Sequence, residues 1–576
     1  MFFLLHPCLY FFVGALLLWY TPRALRMPLI LIIPGLSMVS ILALATIGTP
    51  SLQWQWALFG MAIKPIIVQH YSTVFALGFS CVALLGGLFL ARQASPKEIS
   101  LGYAYTAGAL AIAYAGDFIT LFISFEWMAM LATILIMTAQ YPHSLQAAGR
   151  YLMMHLLGGI VLFAGIAGHV FLTHDLSIIS LDIPLSSFSS LFFNMKLLYP
   201  VLIALGLLLH CAAFPLHGWL TDAYPESSPG GFVFLTAMTT KAAIFALILI
   251  LPGVELLVYI GLITAVWAMY YAIIENDIRR MLSYSLVSQI GLMLITIGVG
   301  TSFTLQATAM LAIENLIAEA LLAMVAGTII IVTNKHKLSD LGGLYRTMPA
   351  LAFVSTVGSL TLSALPGTIG FVAKHLSLQS LAPYDQSWLS FAVLTLGSAS
   401  ILQVGFRFTW MIFFNRDAGF RKQSTPFSLL LPSFIAAFIC LILGVVPQFL
   451  FSLLPGHLTF DGYVHGEWYN QCQLILYSII GFFVVYPLLV PVKGISLDID
   501  WLYRIVLRHI LLLGEYGWMS LMREGKKITI PLLLGIKHMV FKIGHKQSIL
   551  ARNWPIGVSV LSLTIMLGVY LLTYYR

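Results

Sequence analysis

The sequence predicts an all-α integral membrane protein, a polytopic bundle of about 14–16 transmembrane helices. Three observations predict it. Residues of the AVILMFWYC set fill 60% of the 576 positions and charged residues only 9%, too little charge to coat a water-soluble surface. Apolar runs long enough to cross the hydrocarbon layer, about 20 residues each, recur down the whole chain. Basic residues fall in alternate loops, as the positive-inside rule requires.

The runs cover 2–20, 28–46, 72–91, 100–115, 118–140, 150–173, 197–215 and 229–251, then 256–274, 281–300, 306–333, 349–372, 390–414, 428–454, 472–492 and 555–574. They lack the alternating segments of about ten residues that build a barrel, so helices are left to satisfy the backbone in lipid. The first run has no basic n-region and no small-residue cleavage site, and reads as a retained helix. Residues 1–99 hold N-terminal helices plus an aromatic-rich outer-face segment at 47–71, and 100–251 and 252–425 hold two five-helix units. Residues 426–492 add C-terminal helices, 493–554 form a basic inner-surface segment, and 555–576 a final span. That basic segment reads as amphipathic helix, with a small soluble unit as the other reading.

Two spans are broken by proline in related settings: LLLHCAAFPLHGW with Pro215, and LSALPGTIGFVAKHL with Pro366. Proline inside a membrane helix removes a backbone bond and frees carbonyls. The breaks lie five spans apart, so they face opposite ways, and an inverted repeat of about five helices is the hypothesis that follows.

The net charge of +8 sits on one side. One loop set holds Arg23, Arg26, Arg92, Lys97, Arg150, Arg279, Arg280, Lys335, Lys337, Arg346, Arg416, Arg421 and Lys422; the alternate set holds Lys64 and Lys196. This places the N-terminus outside the inner membrane. Anionic inner-leaflet lipid accounts for the basic tail without nucleic acid. Cys8, Cys81, Cys211, Cys440 and Cys472 lack metal-ligand spacing, and no cofactor motif is present.

Ionisable residues inside the spans carry the functional argument. An ionised group at the bilayer centre costs about 2.5–3.5 kcal/mol, so each needs a partner, water or a task. Glu126, His210, Lys241, Glu319 and Lys374 lie near mid-depth in five different spans. His217 and Asp222 follow the first break, Glu314 and Asn315 accompany Glu319, and Arg407 lies near a span end where it could snorkel. Static ion pairs fixing helix packing are the bland reading, and for Arg407 the better one. A packing clamp needs one pair, whereas five spans supply a row. Burial favours the neutral form of lysine and glutamate alike, and an imidazole titrates at about 6.5 unaided, so all can exchange protons near neutral pH.

These segments resemble the antiporter-like subunits shared by respiratory complex I, membrane-bound hydrogenases and Mrp-type monovalent cation/proton antiporters. The resemblance runs over residues 70–460. GDFITLFISFEWM is similar to the segment around the family's glutamate, at Glu126. FPLHGWLTDAYPESSP follows the broken seventh helix, LTAMTTKAAIFAL places the eighth-helix lysine at Lys241, and ALPGTIGFVAK places the twelfth-helix one at Lys374. ENDIRRMLSYSLVSQIGLM matches a further element through Asp277, Arg280, Ser283, Tyr284, Ser285, Gln289 and Gly291. Two departures stand out. His210 replaces the usual seventh-helix lysine, and Asn315 and Glu319 replace the histidine and lysine of the eleventh helix. SLDIDWLYR is similar to the tail of D-type Mrp subunits.

The resemblance implies a proton-translocating subunit of a hetero-oligomeric Na⁺/H⁺ antiporter, with partner membrane subunits and no catalytic chemistry of its own. A proton pump in a redox complex and a non-conducting scaffold are the alternatives.

Overall fold

The computed structural model describes residues 6–47, 54–58, 60–93, 95–139, 141–183, 195–382, 387–420, 425–456, 463, 466–490, 498–499, 501, 509, 512 and 556–574. The basic segment expected at 493–554 lies almost wholly outside them. The chain forms two units, Met1–Asp498 and Ile499–Arg576. The second contributes one described helix, Ile556–Tyr574.

In the first unit the helices run α1 (Pro7–Tyr20), α2 (Arg23–Ile47), α3 (Ser72–Leu90), α4 (Pro96–Tyr114), α5 (Phe118–Met137) and α6 (Ser144–Thr173). There follow α7 (Met195–His210), α8 (Gly218–Ala223), α9 (Pro229–Ala237), α10 (Thr239–Ile250), α11 (Leu256–Ile274), α12 (Ile278–Val299) and α13 (Ser302–Thr333). Then come α14 (Pro349–Leu362), α15 (Ile369–Leu381), α16 (Ser387–Ser400), Phe427–Val445 and Glu467–Leu489. Among the described residues, eleven helices are long and apolar enough to cross a bilayer. The protein is a polytopic helical membrane protein. The expected outer-face segment at 47–71 contains an antiparallel hairpin, Trp54–Leu58 (β1) with Met61–Ile66 (β2).

Polar side chains set where helices start. Ser95, Asp117, Ser228, Asp277 and Thr301 each accept a backbone N–H in the first turn of the helix they precede. His174, Gly300 and Asn334 close α6, α12 and α13 in the left-handed conformation. Two caps also bridge to the loop after the next helix, Asp117 to Ser177 and Asp277 to Lys337.

The core is built around α12, which is wholly buried, and α13, which nearly is. Helix α13 packs on α3, α9, α12, α14, α15 and Phe427–Val445. No face of these two helices meets lipid, so polar residues occur all round them; α6 and α11 keep an exposed apolar face, with Ile160, Phe163, Phe171 and Ile263 outward. Gly291 fixes the approach of α12 to α11: a Cβ there would lie 2.5 Å from the Ala265 nitrogen. Gly291→Val is expected to force the helices apart and cost about 3 kcal/mol, read as a lowered unfolding temperature in detergent.

Several boundaries differ from the sequence expectation. The run 197–215 stops as helix at His210, because Ala212 takes φ 62° and Phe214–Pro215 is cis. The run 349–372 is two helices: α14 ends at Leu362, Ala364 takes φ 61° and Gly367 φ 89°, and α15 continues to Leu381. Residues 229–251 are not one helix either. They break at Met238, and the Thr239 amide donates 3.2 Å to the Tyr105 hydroxyl instead of along the helix. The run 390–414 widens into π-helical turns at Ile401–Gly405 and Trp410–Phe414 on either side of Arg407.

Candidate functional site

Every break leaves helix carbonyls without their usual partner, and basic side chains take them up. At the end of α7, His210 Nδ1 donates to the Gly206 carbonyl at 2.7 Å, which leaves Nε2 as the free acceptor. At the end of α9, Lys241 Nζ donates to the Thr236 carbonyl at 2.8 Å. At the end of α14, Lys374 Nζ donates to the Leu362 carbonyl, with Ser400 Oγ at 3.1 Å and the Gly397 carbonyl at 3.3 Å. Three groups able to carry positive charge therefore lean on three helix C-terminal ends, where the helix dipole is negative.

Carboxylates lie between them. Glu314 and Glu319 on α13 are fully buried; neither Glu314 oxygen has a hydrogen-bond partner among the described residues, and Glu319 faces the Ser285 hydroxyl. Glu319 lies in electrostatic reach of Lys241, and Glu314 of Lys374 first and Lys241 second. The sequence left Glu319 free to pair with either lysine; the structure puts it beside Lys241 and puts Glu314 beside Lys374. Gly370 admits the close approach of α14, since a Cβ there would sit 1.8 Å from the Thr361 carbonyl oxygen, and Glu314 Oε1 lies beside it at an ordinary 3.4 Å. Asn315, Gln289 and Gln403 add buried polar atoms without partners. Buried polar groups in native proteins are otherwise almost always bonded to protein or water.

Glu126 and His210 each pack on a glycine of α6. A Cβ at Gly159 would lie 1.8 Å from Glu126 Oε1, and one at Gly158 would lie 3.2 Å from the His210 ring. The Phe125 ring packs 4.7 Å from that of His210. Beyond Lys374 a cavity of about 500 Å³ is lined by His375, Ser390, Glu467, Asn470 and Gln471.

Other expected residues hold local structure. Asp222 pairs with Arg150 at 2.6 Å, and Asp277 caps α12 with His336 3.9 Å away. Arg280 is partly exposed one turn along. Arg407 does not snorkel. It is 1% exposed, and its guanidinium donates to the carbonyls of Ala272, Glu275 and Leu489, because the widened turns aim it inward. His217 is buried and tied by Nε2 to Asp498 at 2.9 Å; Trp267 and Tyr284 donate to the same carboxylate at 2.9 and 2.7 Å. Burial opposes the Asp498 charge, but these three donors outweigh it and hold the carboxyl at about 2. A lowered value stabilises the contact above the ordinary carboxylate range and loses it only as pH falls toward 2. Asp498 was visible in sequence only as part of a tail motif. Arg279, buried and donating 2.6 Å to the Ser227 carbonyl, was overlooked beside Arg280. Among the described residues no cluster of three His, Cys, Asp or Glu is placed to hold a metal.

The fold and this buried row define a polytopic membrane protein with ionisable groups gathered from many helices. Residues 115–399 match the family described as NADH:quinone oxidoreductase/Mrp antiporter, TM. It is 26% identical to the A/B subunit of a probable K(+)/H(+) antiporter of Rhizobium meliloti, over 64% of this chain and 38% of that protein. It is 27% identical to NADH-quinone oxidoreductase subunit N of Desulforudis audaxviator, over 59% of this chain and 69% of that one. The chain thus spans well under half the length of the first relative. Its fold matches a chain of the membrane-bound sulfane sulfur reductase, an archaeal respiratory membrane complex, with TM-score 0.70 at 20% identity, over 99% of this chain and 100% of that chain.

Proposed function

We propose that the protein is a proton-translocating membrane subunit of a multi-subunit monovalent cation/proton antiporter, exchanging H⁺ for Na⁺. The observation that carries this reading is the convergence of Glu126, His210, Lys241, Glu319, Glu314 and Lys374 from α5, α7, α10, α13 and α15. The Glu314 carboxylate has no hydrogen-bond partner among the described residues, and the cations rest on helix ends. A proton enters at Glu126 and His210, passes through Lys241 and the α13 carboxylates, and leaves through Lys374 and the cavity beyond it. Water in the polar seam bridges the groups, since none of them forms a direct ion pair among the described residues.

The matching caps at Asp117 and Asp277, their bridges to Ser177 and Lys337, and the left-handed alanines at 212 and 364 support two inverted repeats. The uneven loop charge supports an N-terminus outside the plasma membrane. Partner membrane subunits supply cation selectivity, for the chain offers no all-oxygen cage among the described residues.

A second reading, a proton-pumping subunit of a redox complex, is favoured by the fold match to a respiratory complex over 99% of the chain. Inside-out vesicles separate the two. Antiport predicts that adding Na⁺ or K⁺ dissipates an imposed proton gradient only when the chain is present. Glu126→Gln is expected to lower that flux at least tenfold. Proton flux that responds only to an electron donor, and never to a cation, supports the redox reading instead.

A further inference from the structure

Beside α6 the interior holds titratable chemistry that the proposed row does not use. His155 is fully buried, and neither ring nitrogen has a protein partner. Its ring centroid lies 5.0 Å from that of His210, 4.2 Å from Tyr151 and 4.4 Å from Trp219. The rings of Tyr151 and Tyr224 tilt toward each other with centroids 6.3 Å apart, and both buried hydroxyls turn toward the Thr239 side chain. Each faces the Tyr105 hydroxyl within electrostatic range. Tyr105 in turn hydrogen-bonds the Thr239 hydroxyl. Thr239 begins α10, two residues before Lys241.

Packing alone gives no reason for this arrangement. An imidazole with neither nitrogen bonded to protein destabilises a core that phenylalanine would fill at no such cost. The cluster also spans a gap. His210 and Lys241 sit at the ends of different helices, and no residue of the row lies between them. In the neutral form His210 keeps its Nδ1–H on the Gly206 carbonyl, so the nitrogen that exchanges is Nε2, on the ring that meets His155.

We infer that His155 is a proton-transfer residue, passing protons from His210 through the hydroxyls of Tyr151, Tyr224, Tyr105 and Thr239 to Lys241. The inference rests on the proposed proton translocation. In the forward step the Nε2–H bond of a protonated His210 breaks and an N–H bond forms on His155. The other ring nitrogen of His155 then releases its proton to a tyrosine oxygen as that hydroxyl gives up its own. One proton arrives at a neutral Lys241 amine, every hydroxyl regains the proton it passed on, and only N–H and O–H bonds change.

The test uses the full chain with its native partners in membrane vesicles, with Lys241→Ala as reference. His155→Gln keeps a polar side chain of similar bulk but removes titration near neutral pH. It is expected to lower cation-dependent proton flux at least tenfold at unchanged abundance of the chain. If Lys241→Ala abolishes flux while His155→Gln runs at the wild-type rate, the inference falls and translocation stands. Flux surviving in both variants overturns translocation and the inference with it. Should His155→Gln fail to accumulate, Tyr151→Phe decides, because it deletes one oxygen and keeps the ring stack. A drop of at least threefold supports the route; a wild-type rate overturns it.

Discussion

Replacing Lys241 with alanine is expected to abolish proton-coupled transport in membrane vesicles while leaving the chain in the membrane. The side chain is fully buried, and its ammonium donates to the Thr236 carbonyl, so its loss exposes no hydrophobic surface. What it removes is a cation that lies in reach of both Glu319 and Glu314. Charge arriving from the His210 side then has no site on which to rest before α13. A fall of at least a hundredfold, about 2.7 kcal/mol on the transport barrier, is the expected size. Quenching of a pH-sensitive dye in vesicles measures it. More than a third of the wild-type rate in this variant would remove Lys241 from the path.

Glu314→Gln is expected to lower the rate at least tenfold, about 1.4 kcal/mol, while Glu319→Gln interrupts only the approach to Lys241. The substitution changes almost no volume, and the one oxygen it replaces already lacks a protein partner, so the fold has little to lose. Its functional cost is larger because Glu314 is the carboxylate in reach of both lysines, with Lys374 foremost. The same vesicle assay decides. Full activity in Glu314→Gln would remove Glu314 from the path.

The sequence carried the helical membrane class, the two proline breaks and the identities of the buried ionisable residues, because all three follow from residue type and run length. Lys374 followed the second break as expected, and His210 closed the first. What the sequence hid was set by tertiary approach. Glu314 and Glu319 differ little as text; which lysine each faces depends on the packing of α13 against its neighbours. The break at Met238 has no proline or glycine to announce it, and the competing acceptor for the Thr239 amide is the Tyr105 hydroxyl, over a hundred positions away. His155 stands in an apolar run with no motif around it, and only its neighbours His210, Tyr151 and Trp219 give it meaning. Arg407 was read from its distance to a span end, but two widened turns rotate it inward. Asp498 lay in a tail read as surface-seeking, and its partners His217, Trp267 and Tyr284 come from three distant segments.

Because each basic group leans on a carbonyl at a helix end, the length of that helix acts as a ruler for where positive charge sits. Inserting or deleting one residue ahead of Gly206, Thr236 or Leu362 turns the corresponding pole by about 100° and points it at a different neighbour. Changes of this kind would redirect a proton without altering a single acid or base. Reading frame within a helix, and not only the choice of ionisable residue, is therefore a variable on which selection can act in this protein.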